Sequence, residues 1–215
     1  MPPRSVTTRV ATVTCMLRRF LSGRSSARQA PAPPAEPVAD GGTALEVIAG
    51  SIARLRAIDP ADTTAILAAA WHGFGVAQAA GSLLAYDNPG DALLARQTRP
   101  VFRTVTTLLM AAPSLPYTDH GVELVDGLAP EGCAAETYFR DTYDEAPDPS
   151  VAGAVRRGIL ALALELNTLL PRAAELARDP ADEAACRHGT GLAYEVSRCW
   201  HSRPGSFLNT TSRGY

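Results

Sequence analysis

Residues 65–86 read AILAAAWHGFGVAQAAGSLLAY and contain no Asp, Glu, Lys or Arg. A helix that is apolar on every face lies inside a protein or inside a membrane. Ala and Gly dominate this stretch, polar residues such as His72 and Gln78 interrupt it, and no basic residues flank it, which disfavours a transmembrane span. A second stretch, residues 158–170, carries only the charge of Glu165. The sequence therefore predicts two buried central helices.

The other predicted helices surround this pair, and capping residues set several of their bounds. Thr43 and Glu46 form the pattern of a capping box, and Asp62 is placed to cap the second helix. Asp-Pro pairs at 148–149 and 179–180 are typical of a helix start. The predicted helices cover about 43–57, 63–86, 91–112, 131–143, 148–170 and 181–201.

Prolines and turn residues account for the expected interruptions. Pro100 and Pro171 are each expected to kink or break the helix that contains them, because proline lacks the backbone donor. Asp87 and Asp91 flank a Pro-Gly turn and are interpreted as capping residues. No stretch shows the alternating period of a strand. We therefore predict an all-α fold, a compact bundle of about six helices with one helical turn near 122–128.

Three segments with different compositions divide the chain. Residues 1–42 carry six arginines against Glu36 and Asp40, a net charge of +4, and are rich in proline near their end. They are predicted to form a disordered tail and linker. Residues 43–203 are predicted to form the all-α domain, and residues 204–215 a flexible C-terminal tail. The true start of the protein is either Met1 or Met16.

Charge and cysteine content restrict the function classes. The total charge of −2 leaves −6 for the chain after residue 42, which disfavours a nucleic-acid-binding domain. The 20 basic residues are all arginine and the composition resembles that of high-GC bacterial proteins. The 4 cysteines are too few for a disulfide scaffold, so reduced thiols in a cytoplasm are expected.

Small residues form a stripe along the first central helix. Gly73, Ala77 and Gly81 are four residues apart and lie on one face, where another helix can approach closely. Two occupants are considered: the other central helix of the same chain, and the same helix of a second subunit. The second occupant would make the protein a homodimer.

Seven residues are candidates for chemistry or binding. A buried polar group costs roughly 1–3 kcal/mol when it is unpaired, so polar residues in the apolar helices are informative. His72 and Glu165 are a candidate acid–base pair, since burial would raise the pKa of Glu165. The candidate ligand-binding residues are Trp71, Phe74, Gln78, Asn167 and Tyr194.

The spacing of the Cys and His residues near the C-terminus disfavours a metal site. Cys186, His188, Cys199 and His201 are residue types that bind zinc. On one helix, however, the two pairs would be roughly 20 Å apart at the usual rise per residue. Only a break at residues 189–191 could bring them together. The acidic residues Asp141, Asp144 and Glu145 are interpreted as a solvated helix end. The sequence identifies no cofactor and contains no phosphate loop, nucleophile elbow or EF-hand loop.

Three functional hypotheses follow. In the first, a cytoplasmic helical bundle, expected to be dimeric, binds an apolar small molecule or a partner helix in an internal or interfacial pocket near Trp71, Phe74 and His72. In the second, the protein is a small enzyme that uses His72 and Glu165 in the same cavity. In the third, it is an adaptor tethered by its basic N-terminal tail. Neither a nucleic-acid partner nor a transmembrane segment is expected.

Overall fold

Helices make up all the long elements that the structure describes. The structure is a computed structural model, and it describes residues 42–116, 122, 124, 127–139 and 148–201. The helices are α1 (Ala44–Ala57), α2 (Thr63–Asp87), α3 (Ala92–Met110), α4 (Val151–Leu176) and α5 (Pro180–His201). No strand occurs in these residues, so the predicted all-α class is confirmed. The tails predicted at 1–42 and 204–215 lie outside the described residues, apart from Gly42.

The N-terminal caps of the first two helices are those that the sequence predicts. The carboxylate of Glu46 accepts a hydrogen bond from the backbone N–H of Thr43 at 2.9 Å and another from its hydroxyl at 2.8 Å. Asp62 accepts from the backbone N–H of Ala65 at 2.9 Å. These carboxylates therefore pair backbone donors that the helices leave without a partner.

The start of α4 differs from the prediction by two residues. Ser150, not Asp148, caps this helix, and its hydroxyl accepts from the backbone N–H of Gly153 at 3.0 Å. Asp148 instead accepts from the backbone N–H of Ser150 at 2.9 Å. At α5 the Asp-Pro prediction is confirmed, because Asp179 accepts from the backbone N–H of Ala181 at 2.7 Å.

Neither internal proline ends its helix. α3 continues through Pro100 and α4 continues through Pro171 to Leu176, so the breaks that were expected there are absent. Each proline removes one backbone hydrogen bond. Pro100 lies on the exposed face of α3, where water can bond the freed carbonyl, and α4 is held along its length by α5 and other helices.

The segment predicted as a helix at 131–143 is not helical over its described part. Residues 131–139 contain only a single 3₁₀ turn, Ala135–Thr137. Gly132 and Phe139 both have a positive φ, at 71° and 55°, which interrupts right-handed helix. The guanidinium of Arg157 also donates hydrogen bonds to the backbone carbonyls of Ala135 and Tyr138. In a helix, these carbonyls would accept from backbone N–H groups of the next turn. The remainder of the predicted helix lies outside the described residues.

Helices α2 and α4 form the centre of the bundle, as the sequence predicts. α2 packs against α1, α3 and α4, and α4 packs against α1, α2 and α5, while α3 also packs against α5. Among the described residues, no helix combines the length and the apolar character needed to span a membrane.

The glycine stripe of α2 serves this internal packing. A Cβ built on Gly73 would lie 3.5 Å from a methyl group of Leu162 and 3.6 Å from one of Leu166, both on α4. A Cβ on Gly81 would lie 3.0 Å from the ring of Trp200 on α5. Ala77 between them is buried as well. The stripe is therefore covered within the chain, by α4 as expected for the first occupant and, at Gly81, mainly by Trp200 of α5.

Candidate functional site

Trp71 carries the least satisfied polar group on α2. Trp71, Gly75 and Gln78 follow one another at spacings of four and three residues, so they share one flank of the helix. All three are half-buried, and Trp71 packs against the core. The indole nitrogen of Trp71 is buried and finds no acceptor among the described residues. An uncompensated donor of this kind costs about 1–3 kcal/mol.

The same flank of α2 is covered by a residue from the segment after α3. A Cβ built on Gly75 would lie 2.9 Å from a methyl group of Val122. Val122 and Leu124 are half-buried and pack against the core. A side chain at position 75 would push Val122 away, so the absence of a side chain there lets an apolar residue lie directly on the helix. One turn from Trp71, this flank is therefore covered by an apolar side chain.

Glu165 is not buried as the sequence suggested. Its carboxylate pairs with the guanidinium of Arg56 on α1, at 2.7 Å from Nε, and its side chain is 26% exposed. The seam between α1 and α4 opens to solvent at this point, where an arginine can reach the carboxylate. His72 is half-buried and interacts with another group. The acid–base pair stays a prediction, without the buried carboxyl on which it was based.

The remaining predicted site residues are spread over the bundle. Phe74 is 1% exposed and belongs to the core. Gln78 is half-buried on α2 and Asn167 is half-buried on α4. Tyr194 is 55% exposed on α5, a helix whose main packing partners are α3 and α4 and not α2. Trp71 and Gln78 are thus the predicted ligand-binding residues that share a half-buried flank.

The Cys and His residues of α5 do not come together. The helix is continuous from Pro180 to His201, so the break that could have brought the two pairs together does not occur. Cys186 is fully buried, and burial, followed by the charge of Asp182, raises the pKa of its thiol to about 11. A thiol with this pKa stays protonated at neutral pH and is a poor ligand and nucleophile.

Sequence reasoning missed a buried ion pair at the start of α3. Asp91, interpreted as a cap, is fully buried and makes no capping bond. Its two oxygens accept from Nε and Nη2 of Arg156 at 2.7 and 2.8 Å. Arg156 also donates to Asp148 at 2.9 Å. The hydrogen bond to Asp91 is the main cause that raises the pKa of Arg156 above its usual value.

A second missed residue is Arg157, which is 4% exposed. Its guanidinium donates to the backbone carbonyls of Ala135, Tyr138 and Asp148. Two adjacent arginines at the start of an otherwise apolar helix are the signal that could have found both sites, since a buried arginine requires several acceptors. Both arginines therefore connect loop residues to α4 through hydrogen bonds. Because their guanidinium groups are engaged in this way, neither is available to bind a ligand.

A second tryptophan also has an unpaired indole nitrogen. Trp200, near the C-terminal end of α5, is 4% exposed. Its ring lies against Gly81, and its nitrogen finds no acceptor among the described residues. Trp200 is therefore closed in by the core, whereas Trp71 is only half-buried.

Comparison with known proteins identifies no relative. No family model matches the chain, and neither the curated proteins nor the solved structures include a match.

Proposed function

We propose that the protein binds a small, mostly apolar molecule that carries a hydrogen-bond acceptor, on the flank of α2 at Trp71. The observation that supports this most is the buried indole nitrogen of Trp71, which has no acceptor among the described residues. A carbonyl or ether oxygen of a ligand would remove the cost of that unpaired donor. Apolar side chains with a few placed polar groups are typical of ligand sites.

The surroundings favour a small molecule over a partner helix. The stripe Gly73–Gly81 was the surface on which a helix could dock, and it is covered by Leu162, Leu166 and Trp200. On the flank of Trp71, by contrast, the buried nitrogen atom has no acceptor that a ligand would have to replace. Gln78, one turn beyond Gly75, is the second polar group within reach of such a ligand. A dimer would need a surface other than the stripe.

The proposal includes the compartment expected from the cysteines. Cys133, Cys186 and Cys199 are free thiols, which persist in a reducing cytoplasm. The enzyme hypothesis has less support, because Glu165 is engaged by Arg56 at the surface. The adaptor hypothesis concerns residues 1–41, which lie outside the described residues.

Native mass spectrometry of the freshly purified full chain tests the proposal. We expect a fraction of the protein to carry a small organic molecule, which is released and identified after denaturation. Trp71→Phe removes the indole N–H and keeps an aromatic ring, and it should reduce the retained fraction at least fivefold. The same measurement counts the subunits.

The matched control is Trp200→Phe, which removes the other unpaired indole nitrogen from inside the core. This variant should retain the molecule at the level of the unaltered protein. Equal loss in both variants would mean that general loosening of the core, and not the Trp71 donor, controls retention. A chain that carries no molecule, and that shows no change of Trp71 emission with any of a panel of apolar carbonyl compounds, would refute the proposal.

A further inference from the structure

The outer face of α3 concentrates positive charge. Arg96, Arg99 and Arg103 are exposed and separated by three and four residues, so they form one row on the helix surface. Residues 92–110 contain no Asp or Glu. At 1.5 Å per residue, the row spans about 10 Å, or two turns. This basic row belongs to a domain whose net charge is negative.

The arginines of this row have no ion-pair partner among the described residues, as is also true of the exposed Arg54, Arg172 and Arg178. Elsewhere, Arg56 pairs with Glu165, Arg187 with Glu183 and Arg198 with Glu195. No carboxylate among the described residues lies within ion-pair distance of the three arginines of α3. Three like charges on neighbouring turns repel one another, and such an arrangement destabilises an isolated helix slightly. A partner of opposite charge would turn this repulsion into attraction.

An exposed apolar residue extends the row at its N-terminal end. Leu93 is 46% exposed, one of four large apolar side chains with such exposure among the described residues. Leu93, Arg96, Pro100 and Arg103 follow at spacings of three, four and three, so they lie on one face of the helix. Arginine is also enriched in protein interfaces relative to the rest of the surface. The face therefore combines an apolar anchor with a row of charge.

We propose that this face of α3 docks an acidic helical segment of a partner protein, about two turns long. The partner would offer carboxylates at spacings of three and four residues to the arginines and one apolar side chain to Leu93. Arginine suits this partner because its guanidinium binds a carboxylate through two parallel hydrogen bonds.

The charge distribution favours an acidic protein over the other polyanions. A nucleic acid would extend beyond the three arginines onto a body with net negative charge, and it would make no use of Leu93. Stable attachment to an anionic membrane takes a cluster of roughly 4–8 basic residues, more than this face provides. A short acidic helix requires only the row itself.

The test is fluorescence anisotropy with the full-length protein and a labelled synthetic helix. The probe has about 14 residues, with glutamates spaced to match the row and one leucine. We expect salt-dependent binding that is strong at about 0.02 M salt and weak at about 0.5 M, where screening is nearly complete. Replacing Arg96, Arg99 and Arg103 together by glutamine should weaken binding at least tenfold. Leu93→Gln should weaken it severalfold without changing the salt dependence.

The control variant replaces three exposed arginines on other surfaces by glutamine: Arg54, Arg172 and Arg178. It removes the same charge and should change binding less than twofold. Equal weakening in both triple variants would overturn the proposal, because attraction would then depend only on net charge. The proposal is also wrong if the probe fails to bind at low salt. Tighter binding of oligothymidylate or of anionic vesicles through the same arginines would replace the acidic protein by another partner class.

Discussion

Asp91 shows at the level of one residue how a local interpretation can mislead. Asp91 follows Asn88, Pro89 and Gly90, a turn sequence of the kind that precedes a helix. The sequence therefore predicts that Asp91 caps the next helix. Its actual partner, Arg156, is distant along the chain and is brought near by the packing of the bundle. A sequence shows which residues are neighbours in the chain. It does not show the salt bridge between α4 and the start of α3, because that contact forms only when the helices pack.

The buried pair gives a prediction for Asp91→Asn. The substitution keeps the shape of the side chain but leaves Arg156 with Asp148 as its remaining carboxylate. Removing one partner of a buried pair typically costs about 3–5 kcal/mol. Because Arg156 is still 20% exposed and keeps Asp148, we expect a loss near 3 kcal/mol in the free energy of unfolding, measured by urea denaturation.

A surface pair on α5 provides the control for this measurement. Glu183→Gln breaks the ion pair with Arg187, in which the two side chains are 42% and 66% exposed. Exposed pairs of this kind contribute about 0.3–0.5 kcal/mol. If Asp91→Asn cost no more than this control, Asp91 would not be fastening α3 to α4.

At the level of the elements, the sequence predicts the helices where local rules decide and fails where distant groups compete. The uncharged helix, its cap at Asp62 and its central position follow from residues that are neighbours in the chain. Over 131–139, the helix expected at 131–143 is replaced by a single 3₁₀ turn, and distant Arg157 donates to two carbonyls of this segment. Likewise, the apolar sequence of α2 is enough to identify Trp71 as a candidate binding residue. The exposure of Glu165, in contrast, depends on the position of α1 in the fold.

The close approach of α2 to α5 gives a prediction at this level. Gly81→Val would press side-chain atoms against the ring of Trp200, whose nearest atom lies 3.0 Å from a Cβ at that position. Overpacking in a core costs typically 1–3 kcal/mol, and we expect a loss in that range. Thermal unfolding followed by circular dichroism at 222 nm measures it.

Gly50→Val on α1 is the matched control, because a Cβ at Gly50 meets nothing within 4 Å. Valine is a somewhat better helix former than glycine, so this variant should unfold at the same or a slightly higher temperature. A Gly81→Val variant as stable as Gly50→Val would show that Trp200 can move away from α2 at no cost.

At the level of the whole molecule, the fold and both proposed sites lie within residues 44–201, whereas the adaptor hypothesis concerns the N-terminal segment. The packing between helices joins residues from Ala44 to His201. The proposed ligand site lies on the flank of α2, and the proposed docking face lies on the outside of α3. We expect this bundle to fold without residues 1–41, while the adaptor hypothesis requires those residues for function.

Deleting residues 1–41 separates these roles. We expect the shortened chain to unfold within about 2 °C of the full chain, since surface changes of a few tenths of a kcal/mol shift the midpoint by that amount. It should also retain the small molecule in native mass spectrometry. Deleting residues 1–57 is the contrasting variant, because α1 contributes the buried side chains of Leu45, Ile48, Ile52 and Leu55 to the core. This longer deletion exposes α2 and α4 along one side, and cooperative unfolding should be lost. A shortened chain that keeps its midpoint but loses the molecule would place the tail, and not Trp71 alone, at the binding site.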